Sequence, residues 1–324
     1  MIPFFIDDIT DIILEIYVVG YHEKGESIVL FLCDKSQEKA IFTAVIDCFC
    51  FADLNKTYEI LQDRQIESTD LLCWTHPDED HTKGLDDIIN QFCTHKTKFI
   101  LPEGIYGKKS DILQYSEDEL KLIQTINSYN THQNYCVNSI SANPSCALEI
   151  LKYEFSDNIG KKLIFSIDAV APISAIIRRR IDSEPEKIKN NDFSIALLVN
   201  LGNMQFFLSG DIENQTIQQL SENFIDNLVF LKIPHHASQS SNLLLSKIVN
   251  SQRDTQIPIS CTTVYKSHNL PNPELMEEYK IYSEKLHSTG FNDFQNFNYG
   301  IMEYSFEPLT EKIIYNLYGN AEEL

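Results

Sequence analysis

Two histidines and three acidic residues lie together in one short segment, His76-Pro77-Asp78-Glu79-Asp80-His81. The segment follows a short apolar run and precedes a stretch with helical periodicity. Neutral imidazole and ionised carboxylate are the usual nitrogen and oxygen ligands of divalent cations in proteins. An irregular backbone can aim His76 and Asp78 at one cation, and Asp80 and His81 at another. The pattern therefore predicts part of a site for two metals, with a solvated acidic turn as the alternative.

Side chains of the same types follow two other apolar runs. Residues 204–208 lead into a glycine and then Asp211, and residues 229–234 lead into His235 and His236. A carboxylate at such a strand end can bridge two metals, but Asp211 could equally cap the helix that follows it. Two histidines at a strand end are typical of metal ligands, although surface histidines explain them equally well when taken alone.

The elements around these residues alternate between strand and helix patterns. Apolar runs at 18–32, 40–47 and 71–74 predict strands, the first broken by a turn near Gly25. Two stretches between and after them carry apolar side chains on one helical face. Residues 193–200 and 205–208 predict a hairpin. This order favours a layered α/β fold.

Composition limits the class of protein. The chain has 324 residues, of which 43% are hydrophobic, and a formal net charge of -21. A strongly acidic surface disfavours nonspecific attraction to nucleic acid or an anionic membrane unless basic residues cluster locally. The N-terminus lacks the features of a secretory signal, and no apolar run approaches the roughly 18 residues of a membrane span. We therefore expect a cytoplasmic protein without a membrane segment.

Several remaining residues have plainer interpretations. Eight cysteines form no C-x-x-C pair and several lie in apolar runs, which favours buried free thiols. The basic run 178–180 lies close to acidic residues, so a salt-bridged surface segment is favoured over a phosphate contact or a lid. Four histidines in polar contexts are expected at the surface: His22, His95, His132 and His287.

Taken together, the ordered motifs resemble the metallo-β-lactamase superfamily, and most closely the metallo-hydrolase domain of ComEC-type competence proteins and their stand-alone relatives. The resemblance covers most of the chain. Residues 75–85 match the pattern His-Pro-Asp-x-Asp-His-x-x-Gly-Leu, with Lys83 where a glycine is usual. The other matches are Gly25-Glu26-Ser27, Ile46-Asp47, Asn191-Asp192-Phe193-Ser194, Leu208-Ser209-Gly210-Asp211 and His235-His236-Ala237-Ser238.

The resemblance implies a fold and a domain organisation. The expected fold is an α/β, four-layer αββα sandwich. Residues 1–324 are expected to form a single hydrolase domain, with an insertion at about 108–160.

The resemblance also implies a set of metal ligands and two divalent ions, zinc or manganese. The first ion is assigned to His76 and Asp78, and the second to Asp80 and His81. Asp211 bridges the two ions, and the last ligand is His236 of the pair His235-His236. Asp78 stands where many relatives carry histidine, and the added oxygen tilts the preference from zinc towards manganese or magnesium.

One ligand position departs from the family pattern. Many members of the superfamily carry a further histidine just before the strand that begins at Phe193. This chain has Asn190, Asn191 and Asp192 there. The first metal is therefore expected to be weakly held or to take an amide or carboxylate ligand.

The implied chemistry is metal-dependent hydrolysis. Two cations would lower the pKa of a shared water and stabilise the negative charge that develops during attack. Asp80 and Asp211 are the catalytic carboxylates of this hypothesis, and Asp211 orients the attacking hydroxide. His235 or His268 is expected to assist the leaving group, although His268 is equally well explained as an exposed loop histidine.

The expected substrate is a phosphodiester, which makes the chain a candidate phosphodiesterase or nuclease. Because the protein is acidic, a small nucleotide, or nucleic acid delivered by a partner protein, fits better than free polymer. One alternative keeps the fold with another ester, thioester or lactam as substrate. Another is a non-catalytic subunit that uses metal for stability and binds a partner protein.

Overall fold

The computed structural model describes residues 2–37, 39–103, 115–132, 136–143, 147–222, 224–252, 256–290 and 297–324. The strands are β1 (Ile2–Phe5), β2 (Ile12–Tyr21), β3 (Glu26–Asp34), β4 (Lys39–Ile46), β5 (Leu71–Cys73), β6 (Lys98–Pro102), β7 (Cys136–Ile140), β8 (Leu148–Ser156), β9 (Lys162–Ala171), β10 (Ala196–Leu201), β11 (Met204–Leu208), β12 (Leu228–Lys232), β13 (Ile257–Thr262), β14 (Ser283–Ser288), β15 (Tyr299–Glu307), β16 (Lys312–Gly319) and β17 (Glu322–Glu323). The helices are α1 (Lys56–Asp63), α2 (Glu79–Thr82), α3 (Leu85–Phe92), α4 (Glu117–His132), α5 (Ser174–Ser183), α6 (Asn214–Ile217), α7 (Leu243–Gln252) and α8 (Pro273–Tyr282).

The strands form two mixed sheets. One sheet has the strand order β16-β15-β2-β3-β4-β5-β6-β7, and the other has the order β1-β8-β9-β10-β11-β12-β13-β14-β17. The inner faces of the sheets share one apolar core, which includes Val18 and Leu30 from the first sheet and Ile167 and Phe206 from the second. Alternation of side chains along each strand leaves a second apolar face on the outside of each sheet, which helices must cover.

Helices cover both outer faces. Leu61 of α1 and Ile88 of α3 pack with the outer residues of the first sheet. Leu244 of α7 and Met276 of α8 pack with those of the second sheet. Helix, sheet, sheet and helix layers follow one another, so the predicted four-layer αββα sandwich is confirmed.

The two sheets repeat one topology. β2, β3 and β4 are antiparallel neighbours, and β4, β5, β6 and β7 are parallel ones. β9, β10 and β11 are likewise antiparallel, and β11, β12, β13 and β14 are parallel. Parallel strands place their carboxyl ends at one edge of a sheet. The loops after β4, β5, β11, β12 and β13 therefore meet at one rim of the sandwich.

The short-range predictions agree with the structure in most places. β10 and β11 pair antiparallel through the predicted hairpin. Arg180 lies on α5, where it pairs with Glu184 and Asp192, so the salt-bridged interpretation holds for this residue of the basic run. Five cysteines are buried free thiols, as expected: Cys33, Cys48, Cys73, Cys93 and Cys261.

One prediction and one alternative interpretation were wrong. His287 is fully buried, and its Nδ1 lies 2.9 Å from the Tyr304 hydroxyl, so it is not a surface histidine. Burial lowers its pKa to about 4. The helix after Asp211 spans only Asn214–Ile217, and Glu213 occupies its N-cap position, so Asp211 does not cap it.

The segment 108–160 contributes to the layers of the fold where it is described. α4 packs on α2 and α3, while β7 and β8 are strands of the two sheets. Residues 108–114, 133–135 and 144–146 lie outside the described residues. The single domain with an insertion in this region therefore stays a prediction.

Among the described residues, no helix has both the length and the apolar character needed to cross a bilayer. The cytoplasmic location stays a prediction.

Candidate metal centre

The loop after β5 carries four of the predicted ligands. α2 begins directly after Asp78 and places Asp80 and His81 on its single turn. Thr82 fastens this turn, because its hydroxyl donates to the Asp78 carbonyl oxygen (2.6 Å) and accepts from the indole N–H of Trp74 (3.0 Å). Trp74 is fully buried beside the loop. Because the turn is tight, side chains that are neighbours in sequence point to different sides of the cluster.

Loops from the second sheet complete the cluster. Asp211 follows β11 and His236 follows β12, so both stand at the rim that also holds the β5 loop. His76, His81 and His236 are fully buried, and Asp80 and Asp211 are each 3% exposed. Ionisable side chains are seldom buried in this way unless they are paired or bind a metal.

One oxygen of Asp211 stands between the three imidazoles. Its Oδ2 lies 3.9 Å from Nε2 of His76, 3.6 Å from Nε2 of His81 and 3.7 Å from Nε2 of His236. These separations are longer than hydrogen bonds and nearly equal. The arrangement leaves the same carboxylate within reach of ions on either side of it.

The remaining ligands fall into two groups about Asp211. Asp78 Oδ2 lies 3.3 Å from Nε2 of His76. Asp80 Oδ2 lies 3.1 Å from Nε2 of His236 and 3.5 Å from Nε2 of His81. The six residues predicted as ligands are therefore brought together, with Asp78 beside His76 and with Asp80 beside His81 and His236.

Hydrogen bonds at the back of each imidazole fix its orientation. Nδ1 of His81 lies 2.7 Å from Asp47 Oδ2, and Nδ1 of His76 lies 2.9 Å from the Thr75 hydroxyl. The Thr75 hydroxyl donates to Asp47 Oδ2 (2.5 Å), so it must accept from His76. Nδ1 of each ring therefore carries a proton, and Nε2 is the nitrogen directed at the cluster, as it is in metal-ligating histidines.

Charges inside the cluster act strongly on one another. Burial opposes ionisation of Asp211, yet His81 and His236 hold the pKa of its carboxyl well below the usual range. Burial also opposes the charged form of His81, but Asp211 and Asp80 raise its pKa well above that of an ordinary histidine. The carboxylates therefore favour positive charge in this space, and a divalent cation would supply it.

Unpartnered atoms also indicate a bound cation. Within the described residues, three buried atoms of the cluster have no hydrogen-bond partner: His76 Nε2, His81 Nε2 and Asp211 Oδ1. Leaving such groups unsatisfied costs about 1–3 kcal/mol each. Nitrogen and oxygen atoms that converge without donors between them are typical ligands of zinc or manganese. The residues present therefore fit divalent ions.

Two further carboxylates come close to the cluster. Among the described residues, two groups have ligand atoms that all lie within 4.8 Å of one another. One group is Glu26, His81, Asp211 and His236, and the other is Asp47, His76 and His81. Asp47 already accepts from Thr75 N, the Thr75 hydroxyl and His81. Glu26 already accepts from Lys232 and Thr263. We therefore assign both carboxylates to holding the ligands in place.

Two amide side chains, Asn190 and Asn191, lie at the position where the resemblance implies a further histidine. Asn190 Nδ2 donates to Asp78 Oδ1 (2.5 Å) and to the Pro77 carbonyl oxygen (2.7 Å). Asn191 Nδ2 lies 3.3 Å from Nε2 of His235. Asp192 turns away and pairs with Arg180. Asn190 thus orients Asp78 from this position.

The two histidines predicted to assist the leaving group lie in the cleft above the cluster. His235 is half-buried, with Nδ1 2.9 Å from the Ser240 hydroxyl, and burial lowers its pKa. His268 is exposed, and its ring packs edge-to-face on Tyr265 at 4.5 Å. Tyr265 also packs on His236 at 5.4 Å, and burial together with Asp80 raises its pKa. The cleft therefore has an aromatic wall that the sequence did not reveal.

The backbone beside Asp211 requires glycine. Gly210 has φ +52°, and a Cβ there would lie 2.6 Å from both the Ile195 carbonyl oxygen and the Ser194 hydroxyl. That hydroxyl accepts from the backbone N–H of Asp211 (2.8 Å). The close approach of Gly210 to Ser194 and Ile195, just before β10, therefore sets the direction of the Asp211 side chain.

Gly210→Ala is expected to destabilise the fold by roughly 2–4 kcal/mol, because a left-handed φ and a backbone clash add together. Urea unfolding measures the loss. Gly160→Ala is the matched control, since Gly160 has φ +81° but its Cβ would meet nothing within 4 Å. That variant should lose about 1 kcal/mol. Equal losses in the two variants would contradict the proposed clash.

The protein is similar in fold to solved structures, at low sequence identity. No protein-family profile and no curated protein matches the chain. It is similar to the solved structure described as a "New Diphosphatase from the PhnP Family", with 12% identity, a TM-score of 0.39, and 77% of this chain and 85% of that chain covered. It is also similar to a "Putative metal-dependent hydrolase" from Parabacteroides distasonis, with 12% identity, a TM-score of 0.35, and 82% and 91% covered. Neither likeness is close enough to bear on activity.

Proposed function

We propose that this protein is a hydrolase of the metallo-β-lactamase superfamily, that it uses two divalent ions, and that its substrates are phosphodiesters. The observation that supports this most is the position of Asp211 Oδ2, 3.6 to 3.9 Å from three imidazole nitrogens. A cluster that served stability alone would not need unpartnered ligand atoms facing a cleft. The ordered motifs of the ComEC-type branch support the same assignment.

In this proposal His76 and Asp78 hold one ion, and Asp80, His81 and His236 hold the other. Asp211 is shared by the two ions. Bound divalent ions would lower the pKa of a water molecule and stabilise negative charge on the substrate. Asp80 and Asp211 would hold the ions beneath the cleft, which is where the reacting group must lie.

The cleft suits a small phosphodiester. Its volume is about 550 Å³, and Tyr265, His268 and Ser238 line it together with the ligand carboxylates. Clefts of a few hundred Å³ accommodate molecules of nucleotide size. We propose that His268 or His235 assists the leaving group, and that Tyr265 packs against the non-reacting part of the substrate.

Asp80→Ala tests the proposal. The protein is purified without chelator, its manganese and zinc content is measured, and hydrolysis of bis(p-nitrophenyl) phosphate is followed. We expect at least one equivalent of metal in the wild type, loss of activity on chelation, and a roughly hundredfold or greater loss of kcat/KM in the variant, since a ligand of one ion is removed. Asp182→Ala, at an exposed position on α5, is the control.

Less than one equivalent of metal together with turnover that does not depend on Asp80 would overturn the enzyme hypothesis. Retained metal without turnover would favour the non-catalytic, partner-binding alternative. Turnover of carboxylic esters, thioesters or lactams in preference to the phosphodiester would overturn the substrate class and leave the hydrolase.

A further inference from the structure

His236 is connected to a buried carboxylate through a threonine. Its Nδ1 lies 2.8 Å from the Thr263 hydroxyl, and that hydroxyl donates to Glu26 Oε2 (2.7 Å). The first half of the site has the same arrangement, in which Asp47, Thr75 and His76 are connected in this order. Thr75 follows β5 and Thr263 follows β13, so both lie at the rim where the parallel strands end. The strand arrangement that the two sheets share therefore produces the same contact twice.

The second connection differs in one respect, because Glu26 also forms an ion pair inside the protein. Lys232 Nζ lies 2.6 Å from Glu26 Oε2, with the lysine side chain fully buried and the glutamate side chain 2% exposed. Burial opposes ionisation of Glu26, but Lys232 lowers the pKa of its carboxyl. Glu26 begins β3 of one sheet and Lys232 ends β12 of the other. A buried pair of this kind is weak support for stability by itself.

Asp80 competes for the proton of His236. Its Oδ2 lies 3.1 Å from Nε2 of His236, so a proton on Nε2 would form a charge-assisted hydrogen bond. In that tautomer Nε2 has no lone pair for a metal. Thr263 donates its single hydroxyl hydrogen to Glu26, so this hydroxyl can only accept a hydrogen bond from the opposite side of the His236 ring. The tautomer of His236 with the proton on Nδ1 is therefore favoured.

We propose that Glu26, Thr263 and Lys232 form a positioning relay that keeps the proton of His236 on Nδ1 and so leaves Nε2 available for the metal. The relay deepens the proposed function, since it concerns the same metal site, but it does not depend on hydrolysis. Lys232 fixes the position of the Glu26 carboxyl group, and Glu26 keeps the hydrogen of the Thr263 hydroxyl pointing away from His236.

Thr263→Val tests the relay, because it removes the hydroxyl while Glu26 and Lys232 remain paired. Binding of Mn²⁺ to metal-free protein is measured by calorimetry. We expect the ion held by His236 to bind about 10- to 100-fold more weakly in this variant. Thr263→Ser keeps the hydroxyl and should stay within about threefold of the wild type. Thr262→Val is the matched control, because the Thr262 hydroxyl donates to a backbone carbonyl oxygen, whereas the Thr263 hydroxyl accepts from His236 and donates to Glu26.

A second measurement separates positioning from a purely structural role. Imidazole ¹⁵N chemical shifts of metal-free protein report which nitrogen of His236 carries the proton. We expect Nδ1–H in the wild type and in Thr263→Ser, and a shift towards Nε2–H in Thr263→Val. Unchanged tautomer and affinity in Thr263→Val would overturn the relay, as would equal losses of affinity in Thr262→Val and Thr263→Val. A wild type that binds no metal would refute the proposed function, and the tautomer would still decide the relay.

Discussion

Asp211→Asn is expected to lower kcat/KM for the phosphodiester by about a thousandfold or more, which corresponds to about 4 kcal/mol of transition-state stabilisation. The reason is the shared position of this one side chain, whose Oδ2 is close to Nε2 of His76, His81 and His236. An amide in its place removes a negative charge from both metal positions at once. It can also turn N–H donors towards the imidazoles.

The variant is compared with the wild type for metal content, for Mn²⁺ affinity and for hydrolysis of the same phosphodiester. Asp168→Asn is the matched control, because Asp168 is a half-buried aspartate that lies on β9 with Ser166 and Asn200, away from the cluster. The control should keep its activity. If Asp211→Asn folds and retains kcat/KM within about tenfold of the wild type, then Asp211 is not shared between two catalytic ions.

The convergence of the candidate ligands could be predicted because their positions follow from strand order. Asp211 and His236 each come directly after an apolar strand, as does the loop that contains Asp80. Parallel strands bring such ends to one rim, so side chains more than a hundred residues apart converge. The types of residue then indicate the chemistry.

The residues that orient the ligands could not be predicted in the same way. Thr263 and Glu26 are 237 positions apart and belong to different sheets, so their contact depends on how the sheets face one another. Short-range sequence patterns do not indicate how the two sheets are aligned with one another. His287 shows the same limit, because most of its neighbours in sequence are polar while its partner, Tyr304, comes from the opposite sheet.

The departure at Asn190 was visible in the sequence, but its consequence was not. An asparagine can ligate a metal through its oxygen or donate through its nitrogen, and the residue type does not choose between these. The structure shows the amide donating to Asp78 and to the Pro77 carbonyl oxygen. The amide therefore restrains Asp78, a predicted ligand, from the position at which the resemblance implied a further histidine.

Lys232→Met is expected to lower the free energy of unfolding by about 3–5 kcal/mol, the largest stability effect that we predict. The substitution keeps an unbranched side chain, shorter by one atom, but leaves the Glu26 carboxylate buried without its cation. Lys232 also donates to the Ile233 carbonyl oxygen (3.0 Å), which would lose that partner. Urea unfolding of metal-free protein measures the effect without a contribution from bound ions.

The double variant Lys232→Met/Glu26→Gln decides whether the pair stabilises the fold or serves the site. Replacing both charges removes the uncompensated carboxylate, so stability should return to within about 1–2 kcal/mol of the wild type. The amide oxygen introduced by Glu26→Gln can still accept from Thr263, but an uncharged amide accepts more weakly than a carboxylate. Restored stability with weakened Mn²⁺ affinity is the result expected if the ion pair exists to position His236. Restored stability with unchanged affinity would mean that the charge of Glu26 contributes nothing to the metal centre.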